Sequence, residues 1–149
     1  MGLNIDAIIF DWKGTLNQFG NRGLFDYSEE VLKTLSKKYK LAVISKAVPE
    51  EMNERLEDVN RMKKYFDLVI VDTKKTSSQF SDCIKKLCVN PEDTLVVDDR
   101  MDRGIKIGNE LGCKTAWIEE GKYSNIKPDK KTGEPTYKIK SVEGLLTIL

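Results

Sequence analysis

Short apolar runs alternate with longer amphipathic segments along most of the chain. The runs are rich in Val, Ile and Leu, which is typical of buried strands, whereas the intervening segments carry apolar residues at helical spacing. This pattern predicts strands at residues 5–10, 41–44, 67–71, 94–97 and 115–118. It predicts helices at residues 28–38, 49–62, 77–88, 103–111 and 142–149. Strands that alternate with helices favour an α/β fold in which a parallel sheet is covered on both faces.

Composition indicates an ordinary globular protein. The 149 residues, 40% hydrophobic and 33% charged, suffice for one well-buried core and are few for two, so we expect a single domain at residues 1–149. A net charge of +1 gives no indication of nucleic acid or an anionic membrane as a partner. The chain has no apolar run of about 20 residues, and its start lacks the pattern of a signal peptide. These features predict a cytoplasmic protein.

The histidine and cysteine content narrows the possible chemistry. The chain has no histidine, which excludes a histidine base and a histidine-ligated metal site. Its cysteines, Cys83, Cys88 and Cys113, are odd in number and form no CxxC pair, so neither a disulfide framework nor a zinc site is indicated. We expect all of them to be small buried apolar residues. Acid-base chemistry must then use carboxylates, lysine, tyrosine or cysteine.

Polar residues follow the predicted strands at the end where parallel sheets bind ligands. They are Asp11, Ser45, Lys74 and the adjacent pair Asp98 and Asp99. Acids held close together repel one another unless a cation neutralises them, and oxygen ligands suit Mg²⁺. Ser45 and Lys74 suit the oxygens of a phosphoryl group, although Lys75 competes with Lys74 for this role. Asp11 is then the natural nucleophile, because carboxylates form aspartyl-phosphate intermediates.

Four segments, in order along the chain, resemble the motifs of the haloacid dehalogenase (HAD) superfamily. They read DWKGTL at 11–16, VISKA at 43–47, KKTSSQF at 74–80 and LVVDDR at 95–100. The resemblance covers nearly the whole chain. It implies a Rossmann-like three-layer sandwich, a requirement for Mg²⁺, and hydrolysis of a phosphoester through an aspartyl-phosphate.

The resemblance also implies roles for individual residues. Asp11 and Lys13 occupy the two catalytic positions, and Asp98 is a candidate second acid behind the metal. The implied metal ligands are Asp11, the backbone carbonyl of Lys13, and Asp99. The implied phosphate-binding residues are Thr15, Ser45, Lys46 and Lys74.

Two positions depart from the pattern of the superfamily's phosphatases. Lys13 stands where they carry a second Asp that acts as general acid and base, and a protonated lysine cannot accept a proton from water. We therefore expect Lys13 to suppress ordinary phosphatase turnover. The alternatives are that Lys13 pairs with Asp11 or Asp99, or that burial lowers its pKa so that it acts as a base. Arg103 and Gly104 stand where many members carry a later Asp in the fourth motif, so the pair at 98–99 represents a doubled-acid form of that motif.

The spacing of the motifs leaves room for only a flap at residues 17–23 and one helix before the second strand, and for one helix before the third. No substantial cap domain fits. The leading hypothesis is a Mg²⁺-dependent phosphatase that acts on a phosphorylated substrate of unknown size. The alternatives are a non-catalytic member that binds metal or a partner, and a phosphotransferase or carbon-centred hydrolase. A homo-oligomer in which a second copy covers the pocket is also consistent with a capless chain.

Overall fold

The computed structural model describes residues 4–20 and 22–149, so predictions that involve residues 1–3 and 21 lie outside it. The described strands are β1 (Ala7–Phe10), β2 (Lys40–Lys46), β3 (Leu68–Asp72), β4 (Thr94–Asp98), β5 (Lys114–Ile118) and β6 (Tyr137–Ile139). The α-helices are α1 (Ser28–Ser36), α2 (Met52–Asn60), α3 (Ser77–Lys86), α4 (Lys106–Leu111) and α5 (Leu145–Ile148). The strands form one sheet in the order β3-β2-β1-β4-β5-β6. Every pair of neighbouring strands is parallel.

The sheet is covered by helices on both faces because side chains alternate along its strands. Ile8 and Phe10 of β1 lie in a core cluster with buried residues of α1 and α5. Ala7 and Ile9 lie in a second cluster with buried residues of α3 and α4. The predicted three-layer α/β sandwich is therefore confirmed.

The register of the central strands brings their carboxyl ends together. Phe10 at the end of β1 pairs with Val43 of β2 on one side and with Val97 of β4 on the other. The residues that follow each of these strands consequently meet at one edge of the sheet. This edge carries the candidate site.

The end of the chain differs from the prediction. Tyr137–Ile139 forms β6, a strand too short and too polar in its surroundings to be recognised from periodicity. It pairs with β5, and reciprocal hydrogen bonds between Thr115 and Thr136 lead into that pairing. The helix predicted at 142–149 begins with a 3₁₀ turn at Val142–Gly144 before α5.

The segments between the first three strands are short. Between β1 and β2 lie a tight turn, a loop and α1, and between β2 and β3 lie α2 and two 3₁₀ turns. Neither segment contains an inserted domain, so within residues 4–20 and 22–149 there is no large cap domain. None of the helices described is both long and apolar enough to span a bilayer.

The prediction for the cysteines is correct at two positions and wrong at the third. Cys83 and Cys113 are buried, and burial raises the pKa of their thiols to about 12 and about 11. Cys88 is exposed. It follows the end of α3 with a φ of 58°, in the left-handed conformation that often ends a helix, so its side chain lies outside the core.

Candidate active site

Three carboxylates meet at the carboxyl edge of the sheet. Asp11 directly follows β1, Asp98 is the last residue of β4, and Asp99 follows it. One oxygen of each lies within 4.8 Å of the others. They line one end of a cavity of about 480 Å³, which loop residues and α2 complete. The sequence-based expectation that strand ends bring these acids together is therefore confirmed.

Lys75 joins two of these carboxylates. Its Nζ donates to Asp11 Oδ1 at 2.9 Å and to Asp98 Oδ2 at 3.2 Å, and only 4% of its side chain is exposed. Burial alone would lower the pKa of Lys75, but the charges of Asp11 and Asp98 outweigh it and raise that pKa above its usual value. The ammonium is therefore held in its charged form.

The start of α3 explains why Lys75 takes this position. Thr76 and Gln79 form a reciprocal capping box, in which each side chain bonds the other residue's backbone N–H. Gln79 also donates to Asp72 at the end of β3, at 3.0 Å. These contacts fix the residue that precedes the helix cap at the edge of the site.

Lys74 lies outside the site, so its predicted placement is corrected here. Its side chain is exposed, whereas Lys75 is directed at the acids. The end of β3 differs from the prediction by one residue: the strand extends to Asp72, and Lys75 directly precedes Thr76, which caps α3 at its predicted start. The signature of a Thr followed three residues later by Gln would have identified Lys75 from the sequence.

Asp98 has its hydrogen-bonding capacity filled by the protein. Its Oδ1 accepts from the backbone N–H of Arg100 at 3.0 Å. Its Oδ2 accepts from Gly104 N–H at 2.9 Å, in addition to Lys75. A side chain at Gly104 would collide with this carboxylate, so glycine is required there by space. Asp98 thus anchors the π-helical turn Met101–Ile105 rather than offering a free oxygen.

Asp99 contrasts with Asp98. Its Oδ2 is buried and has no hydrogen-bond partner among the described residues. Burial, followed by the charges of Asp11 and Asp98, raises its pKa to about 10. Gly14, with a φ of 82°, leaves the space beside this oxygen open, since a Cβ there would collide with the carboxylate. A buried carboxylate oxygen without a donor, close to a second carboxylate, fits a hard divalent cation such as Mg²⁺.

Asp11 is held in place from both sides. Lys75 binds Oδ1, and Thr15 Oγ1 donates to Oδ2 at 3.1 Å. The tight turn after β1 places Thr15 there, because the carbonyl of Trp12 accepts the N–H groups of residues 15–17. Thr15 is buried and contacts Asp11 but does not line the cavity. Its contact orients the carboxylate that faces the cavity.

Lys13 and Lys46 both line the cavity. The Nζ of Lys13 donates to the backbone carbonyl of Gly20 at 3.1 Å, so the lysine spans from the turn to the following loop. Lys46 is exposed at the end of β2. Both lysines therefore line the cavity, Lys46 as an exposed residue and Lys13 as a half-buried one.

Ser45 lies deeper than predicted, behind an arginine. Its side chain is buried, and its Oγ accepts from Arg55 NH1 at 2.7 Å. The same nitrogen of Arg55 donates to the carbonyl of Lys46, also at 2.7 Å. The Arg55 side chain is 6% exposed and lines the cavity, whereas Ser45 does not.

Comparison with known proteins now adds to the geometry. The family model for haloacid dehalogenase-like hydrolases matches residues 3–118. The chain belongs to this family. Human N-acylneuraminate-9-phosphatase is 30% identical over 146 residues, which are 94% of this chain and 56% of that protein. The chain spans about half the length of the curated relatives it matches.

Solved structures share the fold of this HAD-family chain. The HAD-hydrolase YfnB from Bacillus subtilis, determined bound to magnesium, has a TM-score of 0.68 and 24% identity, covering 85% of this chain and 56% of its own. The L-2-haloacid dehalogenase from Xanthobacter autotrophicus, with chloropropionic acid covalently bound, has a TM-score of 0.73 and 12% identity. The match covers 95% of this chain and 96% of the dehalogenase. HAD hydrolases generally use Mg²⁺, and one neighbour contains it, but the fold also serves dehalogenation.

Sequence reasoning missed one residue of this HAD-family site. Arg55 was not predicted because it lies in a helix whose apolar residues, at helical spacing, indicated that the helix packs against the core. The sequence did show a positively charged residue on the helix that follows the strand containing Ser45. Its distance from the motif, ten residues along the chain, gave no indication that the two side chains meet.

Proposed function

We propose that this chain is a Mg²⁺-dependent hydrolase of the phosphatase type, with Asp11 as its nucleophile. The observation that carries the proposal is the arrangement of Asp11: its carboxylate faces the cavity, is oriented by Lys75 and Thr15, and lies beside the donor-free oxygen of Asp99. Family membership and the phosphatase names of the curated relatives support the same reaction class.

The metal ion would be held by Asp11, Asp99 and the backbone carbonyl of Lys13. Its positive charge would offset the negative charge of the phosphoryl oxygens. Asp98 supports the site from behind, because its oxygens are already bonded to the backbone and to Lys75. Lys75 keeps the Asp11 carboxylate in place, since its hydrogen bond to Oδ1 leaves the carboxylate few orientations.

The reaction then proceeds by displacement at phosphorus. An oxygen of Asp11 attacks the phosphorus of a phosphate monoester, and the bond to the ester oxygen breaks. The alcohol leaves with a proton from solvent. Water hydrolyses the aspartyl-phosphate to inorganic phosphate and regenerates Asp11. The second step is slow, because the acid-base position carries Lys13 in place of an aspartate, so no carboxylate there accepts the proton of the attacking water.

Lys13 is also the observation that favours the alternatives. A lysine in place of the acid-base Asp suits a non-catalytic protein that binds metal or a partner, or a hydrolase acting at carbon. The Asp99 oxygen that has no donor among the described residues favours a metal-dependent reaction over metal-free dehalogenation, because a bound cation would satisfy that oxygen. Because no large cap domain lies within residues 4–20 and 22–149, the cavity is open to substrates of varied size or to a second copy of the chain.

A panel of phosphate monoesters, including an aryl phosphate, tests the proposal. We expect slow hydrolysis that requires Mg²⁺, is abolished by excess chelator, and is lost in Asp11→Asn. The matched control is Asp82→Asn, which changes an exposed acid on α3 and should hydrolyse at the wild-type rate. Hydrolysis that survives Asp11→Asn in a folded sample, or that needs no divalent metal, would contradict the proposal.

A further inference from the structure

Cations line one part of the cavity, which we call the basic wall. Its members are Lys13, Arg100, Arg103 and Lys122. They come from three segments that each follow a strand: the turn after β1, the residues after β4 and the loop after β5. These strands are neighbours in the sheet and run parallel, so the three segments meet at the edge that carries the acids.

The two lysines of the basic wall contact consecutive residues of one loop. The Nζ of Lys13 donates to the carbonyl of Gly20 at 3.1 Å. The Nζ of Lys122 lies 5.2 Å from the centroid of the Phe19 ring. Because Phe19 and Gly20 are adjacent, the two ammonium groups lie in the same region of the cavity.

The two arginines extend the same wall. The Arg100 guanidinium carbon lies 4.2 Å from the centroid of the Tyr123 ring, and Lys122 Nζ lies 5.5 Å from that centroid. Arg103 is half-buried and lies in the π-helical turn that Asp98 anchors. Such turns are rare, and many of them lie at functional sites. The anchored turn therefore holds Arg103 more firmly than a surface loop would.

Only one cation of the basic wall is paired with an acid. Both oxygens of Asp102 accept hydrogen bonds from Arg100, at 2.9 and 2.7 Å. Among residues 4–20 and 22–149, no carboxylate lies within ion-pair distance of Lys13, Arg103 or Lys122. The basic wall therefore carries positive charges that the described residues do not pair.

The acids that line the cavity outside the strand ends lie on another element. They are Glu51, Glu54 and Asp58, on α2 and the 3₁₀ turn before it. Glu51 lies within ion-pair distance of Arg55, and Asp58 lies within that distance of Arg61. In the described part of the chain, none of the three acids pairs with the basic wall.

We infer that the basic wall binds a second anionic group of the substrate, a carboxylate or a phosphate, with Arg103 as its main ligand. A surface lined by charges of one sign attracts the opposite charge. A planar guanidinium donates parallel N–H groups to either kind of anion. The inference rests on the proposed function, which has Asp11 attack the first phosphoryl group. It narrows the substrate class to phosphate monoesters that carry a second negative charge.

Titration calorimetry with phosphonates, in the presence of saturating Mg²⁺, tests the inference without turnover, because displacement at phosphorus does not cleave their P–C bond. The probes are ω-phosphonocarboxylates with two to four methylene groups, each compared with its neutral amide. We expect the carboxylate to bind about five- to tenfold more tightly than the amide at the chain length that spans the two sites. Alkane bisphosphonates of the same lengths show whether a second phosphoryl group binds more tightly than a carboxylate.

Variants assign the preference to Arg103. Arg103→Gln should reduce the ratio of the two affinities to about one to two, because it removes the charge. Arg103→Lys keeps the charge without the planar donors and should give an intermediate ratio. Lys106→Gln is the matched control: it removes a cation at the start of α4, 41% exposed, that does not line the cavity, and should keep the wild-type ratio.

The outcomes separate this inference from the proposed function. If neither second anion binds more tightly than the amide at any length, the inference is overturned and the phosphatase proposal stands. A preference that persists in folded Arg103→Gln also overturns it. If the preference depends on Arg103 but no phosphate ester is hydrolysed, the phosphatase proposal fails and the anion site remains. If Arg103→Gln does not fold in thermal melting, Arg103→Lys decides: a wild-type ratio overturns the inference, and a lower ratio in a folded protein supports it.

Discussion

The buried end of the cavity and its opening are built in different ways. The acidic floor consists of Asp11, Lys75, Asp98 and Asp99, residues at the ends of strands or at a helix cap. Each of its three acids is fixed by its position beside the central strands β1 and β4. The buried carboxylates accept hydrogen bonds from the Lys75 ammonium and from the backbone N–H of Gly104, and these bonds hold the carboxylates in a single geometry.

The rim of the cavity consists of loop side chains: Phe19, Arg100, Lys122 and Tyr123. They touch mainly through their aromatic rings. The Arg100 guanidinium carbon lies 4.2 Å from the centroid of the Tyr123 ring, and Lys122 Nζ lies 5.2 Å from that of Phe19. The rings of Phe19 and Tyr123 meet edge to face at 5.8 Å. Such contacts contribute about 0.5–1 kcal/mol each at exposed sites, so these side chains hold one another weakly. Arg100 is also bound by Asp102 through two hydrogen bonds, at 2.9 and 2.7 Å.

This difference indicates that the floor and the rim have different functions. The floor carries charge that must be positioned accurately, and the core strands provide that accuracy. The rim is made of loops that can vary without disturbing the sheet, and it contacts whatever part of a substrate lies beyond the phosphate. We therefore expect substitutions in the floor to affect stability, metal binding and the chemical step, and those in the rim to affect the choice of substrate.

The largest effect is expected at Lys75. Lys75→Met leaves Asp11 and Asp98 buried without their cation, and removing one partner of a buried ion pair costs about 3–5 kcal/mol. Lys74→Met is the matched control, and as an exposed substitution it should change stability by less than about 0.5 kcal/mol. Urea denaturation of both variants measures the difference. Equal stabilities would show that Lys75 is not part of the floor.

The next effect concerns the metal. Asp99→Asn should weaken Mg²⁺ binding by at least about tenfold, because it removes the charge of the oxygen that has no protein donor. Asp82→Asn should leave the affinity unchanged. Calorimetric titration with Mg²⁺ measures both. Unchanged binding in a folded Asp99→Asn protein would mean that the metal site lies elsewhere.

The same carboxyl gives the metal affinity a predicted pH dependence. Because the pKa of Asp99 is raised to about 10, this carboxyl holds a proton near neutral pH in the metal-free protein. Mg²⁺ must displace that proton, so its affinity should increase as the pH rises from about 6 to about 9. Titrations in buffers of different ionisation enthalpy count the protons released. An affinity that falls over this range would contradict the predicted sign.

An increase in activity is expected at Lys13. Lys13→Asp supplies a carboxylate that can accept the proton of water, and we expect hydrolysis of an aryl phosphate to rise about 10- to 100-fold. Lys13→Met also breaks the contact with Gly20 but adds no base, so it should produce no such rise. Steady-state rates distinguish the two. A wild-type rate that already reaches roughly 1 s⁻¹ or more would show that Lys13 is no handicap.

The smallest effect is expected at the rim. Tyr123→Ala removes the ring beneath Arg100 and should raise KM for a bulky substrate by about two- to fivefold, with kcat unchanged, since each such contact is weak. Kinetics with a bulky and a minimal phosphate ester provide the comparison. A tenfold or larger fall in kcat would show that Tyr123 contributes to the chemical step, which would contradict the proposed difference between rim and floor.

The sequence predicted residues that directly follow buried strands better than residues whose positions depend on an element boundary or on a contact between elements. Asp11 and Asp99 follow apolar runs that are buried strands, and the register of a parallel sheet then brings their ends together. Lys75 was a candidate beside Lys74, and the sequence could not decide between them because the end of a predicted strand is uncertain by a residue or more. Arg55 was missed because its partner, Ser45, lies on a different element, and no periodicity records a contact between elements.

The most direct test of the central claim is to trap the aspartyl-phosphate. A phosphate monoester is mixed with excess protein and Mg²⁺, and the mixture is quenched with acid. Borohydride then reduces the acyl phosphate of Asp11 to the alcohol of homoserine and releases phosphate, and peptide mass spectrometry maps the reduced residue. We predict modification at Asp11 that requires Mg²⁺, and more of it in wild type than in Lys13→Asp, because Lys13 slows the hydrolysis of the intermediate. Turnover of the ester without reduction of Asp11, or with the reduced residue at another position, would contradict the account.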